Sequence, residues 1–570
     1  MSKRSPNHTM AQVATFAFSG IDAIPVEVQV QLSSGAPNFL IVGLADKAVA
    51  EARERVRASF HAMGLSLPPR RILINLKPAD LLKEGSHFDL PLALGVLAAM
   101  DLVPADLLAE YAALGELSLD GSLNKVAGVL PAAIAASSRD LGLICPEEQG
   151  GEAAWAGPIN VLAPRDLRSL IAHFKGSMVL TPPVAGGIVD VGRGPDLRDV
   201  KGMETARRAI EIAAAGGHNI LLIGPPGSGK SMLAARLPGL LPDLDARAAL
   251  EVGMIHSVAG LLENGRLIMR PPFREPHHSA SQAALTGGGH RAKPGEVSLA
   301  HRGVLFLDEL PEFPRQTLEA LRQPMETGRT TVSRASAHIT YPARFQLVAA
   351  MNPCRCGYLG DAGRECGRAP RCGEDYRNRI SGPVLDRIDL AVEVQPATAA
   401  ELAHAPQGEP SSIIAERVNR ARLAVRERHG PDGPATNAEV ESDAIRIAPD
   451  AAKLVEDAMN RLRLSGRGRT RVLRVARTVA DLACAEMVTR PHVAEALSSI
   501  YASNILNINH LIERYMVVPR FGPRHFASGK SLSHSLKLRD ISSGFIRAGS
   551  SPAGVGTPRI GGKGTQEILF

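Results

Sequence analysis

The chain has 570 residues, 45% of them hydrophobic, more than a single core organises, so two or three domains are expected. No apolar run approaches the roughly 18 residues that cross a bilayer, and the opening MSKRSPNHTM lacks a signal-peptide core; the expectation is a soluble, cytoplasmic protein without membrane contact. The net charge is +7, but residues 500–570 alone hold nine Lys/Arg against three Asp/Glu, so basicity belongs to the tail and does not argue for nucleic acid.

Behind a short extension, 1–12, residues 13–178 mix two periodicities. Alternating stretches at 24–32 and 71–76 predict strands, and 46–63 and 90–100 predict helices, which together make an α/β domain. The Pro- and Gly-rich segment 179–197 reads as a linker. Residues 198–398 follow as an α/β core with a parallel sheet, and 399–498 as a helical lid. The last segment, 499–570, is rich in Ser, Gly and basic side chains and lacks the apolar surface to order itself.

The stretch NILLIGPPGSGKSMLAARL at 219–237 organises the middle of the chain. A short apolar strand runs into a glycine-rich loop, and a helix-forming segment begins at Lys230. Gly224, Gly229, Lys230 and Ser231 fit the phosphate-loop pattern G-x-x-x-x-G-K-[ST], with Pro225, Pro226, Gly227 and Ser228 between them. Glycines let successive N–H groups point at phosphate oxygens, Lys230 adds a positive charge and the Ser231 hydroxyl is a ligand for Mg²⁺. ATP with Mg²⁺ is therefore the expected ligand.

About 80 residues on, GVLFLDEL predicts a second buried strand ending in Asp308 and Glu309. An acidic pair there supplies a Mg²⁺ ligand, Asp308, and a base for the attacking water, Glu309. A third strand, FQLVAAMNP, ends in Asn352, placed to sense a γ-phosphate. Two residues later begins a run of cysteines, Cys354, Cys356, Cys366 and Cys372, spaced C-x-C-x9-C-x5-C. Four thiolates in one loop could close a Zn²⁺ site, and four reduced thiols are the equal alternative.

Longer blocks carry a resemblance. NFLIVGLADKAVAEARERVRASF, INLKPADLLKEGSHFDLPLALGVLAA and LGELSLDGSLNKVAGVLPAAIAA resemble the N-terminal domain of the magnesium-chelatase-like YifB/ComM family, related in fold to the S5-like catalytic domain of Lon protease. At the positions of Lon's serine and lysine this chain has His87 and Leu130, with Ser86 one residue away, so Ser-Lys proteolysis has no chemistry to run on. RPPFREPHHSASQAALTGGGHRAKPGEVSLAHRGVLFLDELPEF, LRQPMETGRTTVSRA and YPARFQLVAAMNPCRCGY resemble the family's AAA+ P-loop ATPase core, which is similar to magnesium chelatase subunit I and the MCM helicases.

The resemblance implies further roles. Residues 199–202 would pack on adenine, Arg387 in LDRID would be an arginine finger, and Arg467, with Arg474 as its rival, would be a second sensor opening a lid helix. ATP would lie between subunits of a homo-hexamer, with Lys230, Ser231, Asp308, Glu309, Asn352 and Arg467 from one protomer and Arg387 from the next. Two insertions, 275–296 and 330–341, would line a pore where Arg291, Lys293 and Arg334 could grip phosphates. His277 and His278 would be structural or pore-loop residues. The implied activity is migration of branched or single-stranded DNA during recombination in natural transformation. A magnesium chelatase subunit and a Lon-like protease are the alternatives.

Overall fold

In DAIPVEVQVQLS every second residue is apolar, so an extended chain buries Val26, Val28, Val30 and Leu32 on one face. The computed structural model describes residues 9–500 except 190–191, 290–291, 334–337, 360–362 and 364–365, all of them within one compact unit. The expected tail lies outside the described residues from 501 onward.

Seven strands form the first sheet: β1 (Thr9–Ser19), β2 (Asp22–Ser33), β3 (Asn38–Val42), β4 (Arg71–Lys77), β5 (Tyr111–Ala113), β6 (Gly142–Ile144) and β7 (Val161–Leu162). Their order is β3-β4-β2-β1-β5-β6-β7, with β2 antiparallel to both neighbours and the other pairs parallel. Helices α1 (Lys47–Ala62) and α2 (Asp89–Ala99) cover one face, close to where periodicity places them. All of α2 is buried, and it lies so close to the sheet that a Cβ at Gly95 would stand 2.6 Å from Val30 Cγ2. Arg55 of α1 closes on the buried Asp89 carboxylate at 2.6 Å.

The second sheet positions the candidate site. Its strands are β8 (Ile220–Ile223), β9 (Phe273–Arg274), β10 (Val304–Leu307) and, after the antiparallel hairpin of β11 (Arg329–Ser333) and β12 (His338–Pro342), β13 (Gln346–Met351) and β14 (Leu390–Glu393). The order is β9-β10-β13-β8-β14, and every pairing is parallel. Strands covered on both faces read as unbroken apolar runs, which is why ILLI, VLFL and QLVAAM are almost wholly buried.

Helix α3 (Val129–Ser137) belongs to the first sheet's layer; α4 (Glu204–Gly216), α5 (Lys230–Ala234), α6 (Ala246–Ala259) and α7 (Gln282–Thr286) belong to the second. The lid contains α8 (Ser411–His429), α9 (Pro449–Leu462), α10 (Gly466–Leu482) and α11 (Arg490–Ile500). Ile210, Leu222, Val418, Leu454, Val475 and Leu497 share one apolar core, so the lid is continuous with the sheet. No helix among the described residues is long and apolar enough to cross a membrane.

The two sheets meet along a polar seam. Glu152 is 2% exposed; its carboxylate accepts from Ser257 Oγ of α6 (2.5 Å), Leu130 N (3.0 Å) and Gln149 Nε2 (3.1 Å). Trp155 Nε1 donates to Gly265 O at 2.8 Å. The Pro/Gly-rich segment between the sheets is also tied in: Ile188–Val189 pairs in parallel with Leu267–Ile268.

Burial raises the Glu152 pKa, an effect its three hydrogen bonds only partly offset. The folded state then holds this proton more tightly than the unfolded state, so its contribution to stability falls as pH rises above the ordinary glutamate value. Relative to Glu152→Gln, the natural chain should lose thermal stability from about pH 4.3 upward, by at most about 1.4 kcal/mol per pH unit. Unfolding midpoints followed against pH test this, and parallel profiles for the two proteins would contradict it.

Candidate functional site

In a parallel sheet all strands end on the same edge, and here that edge gathers the phosphate-loop residues. β8 runs into the loop 224–229, β10 into Asp308 and Glu309, and β13 into Asn352. The loop turns through Gly227 at φ +76° and Gly229 at φ +86°, conformations that glycine adopts freely. At Gly224 close approach decides, because a Cβ there would lie 2.1 Å from Val394 O.

Lys230 is folded back on this loop. Its Nζ donates to Gly224 O (2.8 Å), Pro225 O (2.9 Å) and Asn352 Oδ1 (3.1 Å), so the loop cation and Asn352 already meet. Burial lowers the Lys230 pKa, opposed by the charges of Asp308 and Glu309. Ser231 Oγ donates to Asp308 Oδ2 at 2.8 Å. A hydroxyl and a carboxylate side by side are the oxygen donors that Mg²⁺ takes, and these two residues would hold it. The loop also fits a triphosphate. Ser228 Oγ is buried without a partner, and open space surrounds the position of a Cβ at Gly227. Residues 199–202 come close to this loop, since the side chain of Met203, next in the chain, would stand 3.2 Å from a Cβ built on Gly229.

The arginines are elsewhere. A cleft of about 880 Å³ opens at the amino ends of the strands, where Asn219, Gly303, Gln346 and Asp389 line it. Seven arginines face it, Arg387, Arg467, Arg471 and Arg474 among them, together with Glu326, Asp386 and Glu439. Arg387 pairs with Glu326 and donates to Pro383 O, while Asn219 Nδ2 fixes its carbonyl at 2.9 Å. Burial lowers the Arg387 pKa, and Arg322 and Arg467 push it the same way. Arg467 thus shares a cleft with Arg387, on the edge opposite Lys230. The expected grouping of Arg467 with the phosphate loop of its own protomer is corrected: α10 begins at Gly466, at the amino end of the sheet, and carries Arg467 there. Its rival Arg474 lines the same cleft and donates to Val440 O at 2.7 Å.

The expected metal cluster finds no support. Cys354 and Cys356 lie 3.1 Å apart and Cys366 and Cys372 3.0 Å apart, whereas four sulfurs around Zn²⁺ at about 2.3 Å stand roughly 3.8 Å from one another. Among the described residues no group of three or more His, Cys, Asp or Glu is arranged to hold a metal. The protease alternative fares no better. His87 is buried, bonded through Nε2 to Phe16 O at 2.9 Å, its pKa lowered to about 4 by burial. Leu130 is fully buried, and Ser86 donates to the Glu116 carboxylate instead of to an amine.

The two insertions pack together. Thr330 Oγ1 donates to Thr286 O at 3.0 Å and Tyr341 OH to Ala292 O at 2.8 Å. Arg274 closes the base of the first on Glu296 through bonds of 2.6 and 2.8 Å. Lys293 is exposed in its outer loop, whereas Arg291 and Arg334 lie outside the described residues. One residue takes a place that periodicity does not reveal. His278, expected to be structural or in a pore loop, has its Nδ1 3.5 Å from Glu309 Oε2. The signal was strand adjacency: β9 lies beside β10, so the segment leaving Arg274 emerges beside the one leaving Leu307.

Family models described as magnesium chelatase, subunit ChlI, match residues 196–402; the subunit ChlI of Mg-chelatase, residues 28–149; and the magnesium chelatase subunit ChlI C-terminal region, residues 408–499. The competence protein ComM of Haemophilus influenzae is 44% identical over 499 residues, 86% of this chain and 97% of the relative. The YifB protein of Salmonella typhimurium is 42% identical over 495 residues, with the same coverage. The magnesium-chelatase subunit ChlI of Cyanophora paradoxa is 30% identical over 157 residues, 24% of this chain and 45% of the relative.

Two substitutions separate binding from chemistry. Lys230→Ala should abolish nucleotide binding in a fluorescent-nucleotide titration, because the loop loses its cation. Glu309→Gln should bind nucleotide as the natural chain does and lower phosphate release by about 10² to 10⁴-fold, the loss of a general base. Equal binding loss in both would contradict these assignments.

Proposed function

This chain belongs to the YifB/ComM family of magnesium-chelatase-like AAA+ ATPases, and we propose that it is a hexameric DNA motor that migrates branched junctions during recombination of incoming DNA. The observation that carries this reading is the division of the site. Lys230, Ser231, Asp308, Glu309 and Asn352 stand at the carboxyl edge of the sheet, and Arg387 and Arg467 line a cleft at the amino edge. Neither half is complete, so a second copy must bring its arginines to the first copy's phosphates.

The residues then have distinct tasks. Lys230 and the loop amides bind the phosphates, Asn352 holds Lys230 in register, and Glu309 takes the proton of the attacking water. Ser231 and Asp308 would hold Mg²⁺, which would supply charge neutralisation on the phosphates. Arg387 and Arg467 of the neighbour stabilise charge that builds up on the transferring group, which a planar guanidinium does well. Because hydrolysis requires two subunits, a ring can pass each event to the next copy and convert it into directed movement.

DNA as the cargo is supported by the full-length likeness to a competence protein and by the exposed Lys293 on an insertion braced against the hairpin. Two magnesium-chelatase subunits match 24% and 27% of this chain, against 86% for the competence protein, and the blocked His87 position argues against proteolysis. A synthetic four-way junction tests the proposal. The natural chain should migrate it with ATP and Mg²⁺, and Lys230→Ala should not. Unchanged junctions in the presence of active, DNA-bound ATPase would contradict the motor.

A further inference from the structure

Strand β8 is entered at the amino edge of the sheet through His218 and Asn219, and these two neighbours hold different elements. Asn219 holds the turn that follows Arg387: its backbone N–H donates to Asp389 Oδ2 at 3.0 Å, and its carbonyl accepts from Asp389 N (2.9 Å) and Leu390 N (3.0 Å), beside the bond to the Arg387 carbonyl. His218 holds the lid. It is fully buried, and its Nε2 lies 2.8 Å from Thr478 Oγ1 of α10. The Thr478 hydroxyl gives its one hydrogen to Arg474 O at 3.0 Å, so the ring nitrogen is the donor. Nδ1, on the other side of the ring, stands 3.7 Å from Asp389 Oδ2. The imidazole therefore lies between the lid helix and the turn after Arg387.

The residue is fixed from its backbone as well. Its carbonyl accepts from Gln346 Nε2 at 2.7 Å, and a Cβ on Gly216 would stand 2.2 Å from His218 Nε2 and 2.5 Å from Thr478 Oγ1, so the close approach needs glycine there. On α10 the bond falls on the face that matters. Arg467, Arg471, Arg474 and Thr478 follow one another at intervals of four, three and four residues, the spacing of one helix face, and the three arginines line the cleft. Thr478 thus anchors the stripe that presents the guanidiniums, eleven residues from Arg467, roughly 16 Å along the axis. On a lever of that length a tilt of about 4° moves Arg467 by about 1 Å, and a misplacement of about 1 Å is enough to slow a reaction about 10²-fold. Arg471 Nη2 makes a second tie, to Asp386 O at 2.7 Å, but at an exposed position.

We propose that His218 is a positioning residue for the shared site: by bonding Thr478 beside the turn that Asn219 holds, it sets the arginine face of α10 relative to Arg387, so that both guanidiniums meet the neighbour's phosphates in one geometry. The inference rests on the arginines serving a second copy, as proposed above, and deepens that reading by naming what aligns them. His218 itself touches neither nucleotide nor water. Its effect is felt only in the site of the next copy, while the phosphate loop of its own protomer, at the far end of β8, is left as it was.

ATP turnover of the assembled full chain tests this with His218→Leu, Thr478→Val and Thr478→Ser. Loss of the bond in His218→Leu or Thr478→Val should lower kcat by about 10- to 10²-fold, while the KM for ATP and fluorescent-nucleotide binding hold. Thr478→Ser keeps a hydroxyl and should retain most of the natural rate. Mixing then assigns the defect to a face. Either apolar variant mixed with Lys230→Ala should turn over severalfold faster than the mean of its two components, and mixed with Arg387→Ala it should not. The reverse pattern, which damage to the variant's own phosphate loop produces, overturns the proposal. So do recovery in both mixtures or in neither, natural kcat in both apolar variants, and a Thr478→Ser as impaired as Thr478→Val. Should His218→Leu not assemble, the near-isosteric Thr478→Val carries the same tests. Lys230→Ala mixed with Arg387→Ala, run alongside, separates the two readings: no recovery there refutes the shared site and this inference with it, whereas recovery there beside a wrong pattern for the apolar variants sinks this inference alone.

Discussion

Strand β8 is four residues long, roughly 13 Å at the rise of a parallel strand, and that length divides the chemistry. At one end the chain turns into the loop that holds Lys230; at the other, Asn219 bonds to the Arg387 carbonyl. Because all five strands run the same way, the division applies to the whole sheet and cannot be undone by a loop movement. In the proposed function, cations at the amino edge of one copy serve phosphates at the carboxyl edge of another. Within the single chain Arg387 is paired with Glu326 instead.

The first sheet bears on this arrangement through the seam at Glu152. A buried carboxylate with three donors is a specific junction, and one of its donors, Ser257, lies on α6 of the ATPase layer. The two positions where the sequence resemblance to Lon would place a catalytic pair are packed instead: Leu130 is buried, and its amide is one of the donors to Glu152. His87 is enclosed against Phe16 and Phe88.

Much of the site could be read directly from residue order, and the reason is local. A phosphate loop places all of its groups in one continuous stretch, so Gly224 to Ser231 announce themselves. Asp308, Glu309 and Asn352 stand out because each closes an apolar strand of the same sheet. The parts that were not legible depend on how strands are ordered. Nothing near Arg467 says on which edge α10 begins, and nothing near His278 says that β9 lies beside β10. The cysteine spacing, likewise, allowed a metal cluster, whereas among the described residues no group of His, Cys, Asp or Glu is arranged to hold one. Local pattern identifies groups; strand order decides which groups meet.

The central claim is that each pocket is assembled from two copies, with Arg467 and Arg387 arriving together from the second. Equimolar mixing of inactive single variants tests it most directly, with ATP turnover as the readout. Lys230→Ala should recover turnover when mixed with Arg387→Ala and when mixed with Arg467→Ala, since each mixture contains some complete interfaces. Arg387→Ala mixed with Arg467→Ala should stay inactive, because no interface then holds both arginines. Recovery in that last mixture would return Arg467 to the pocket of its own protomer, and failure of all three mixtures would contradict the shared site.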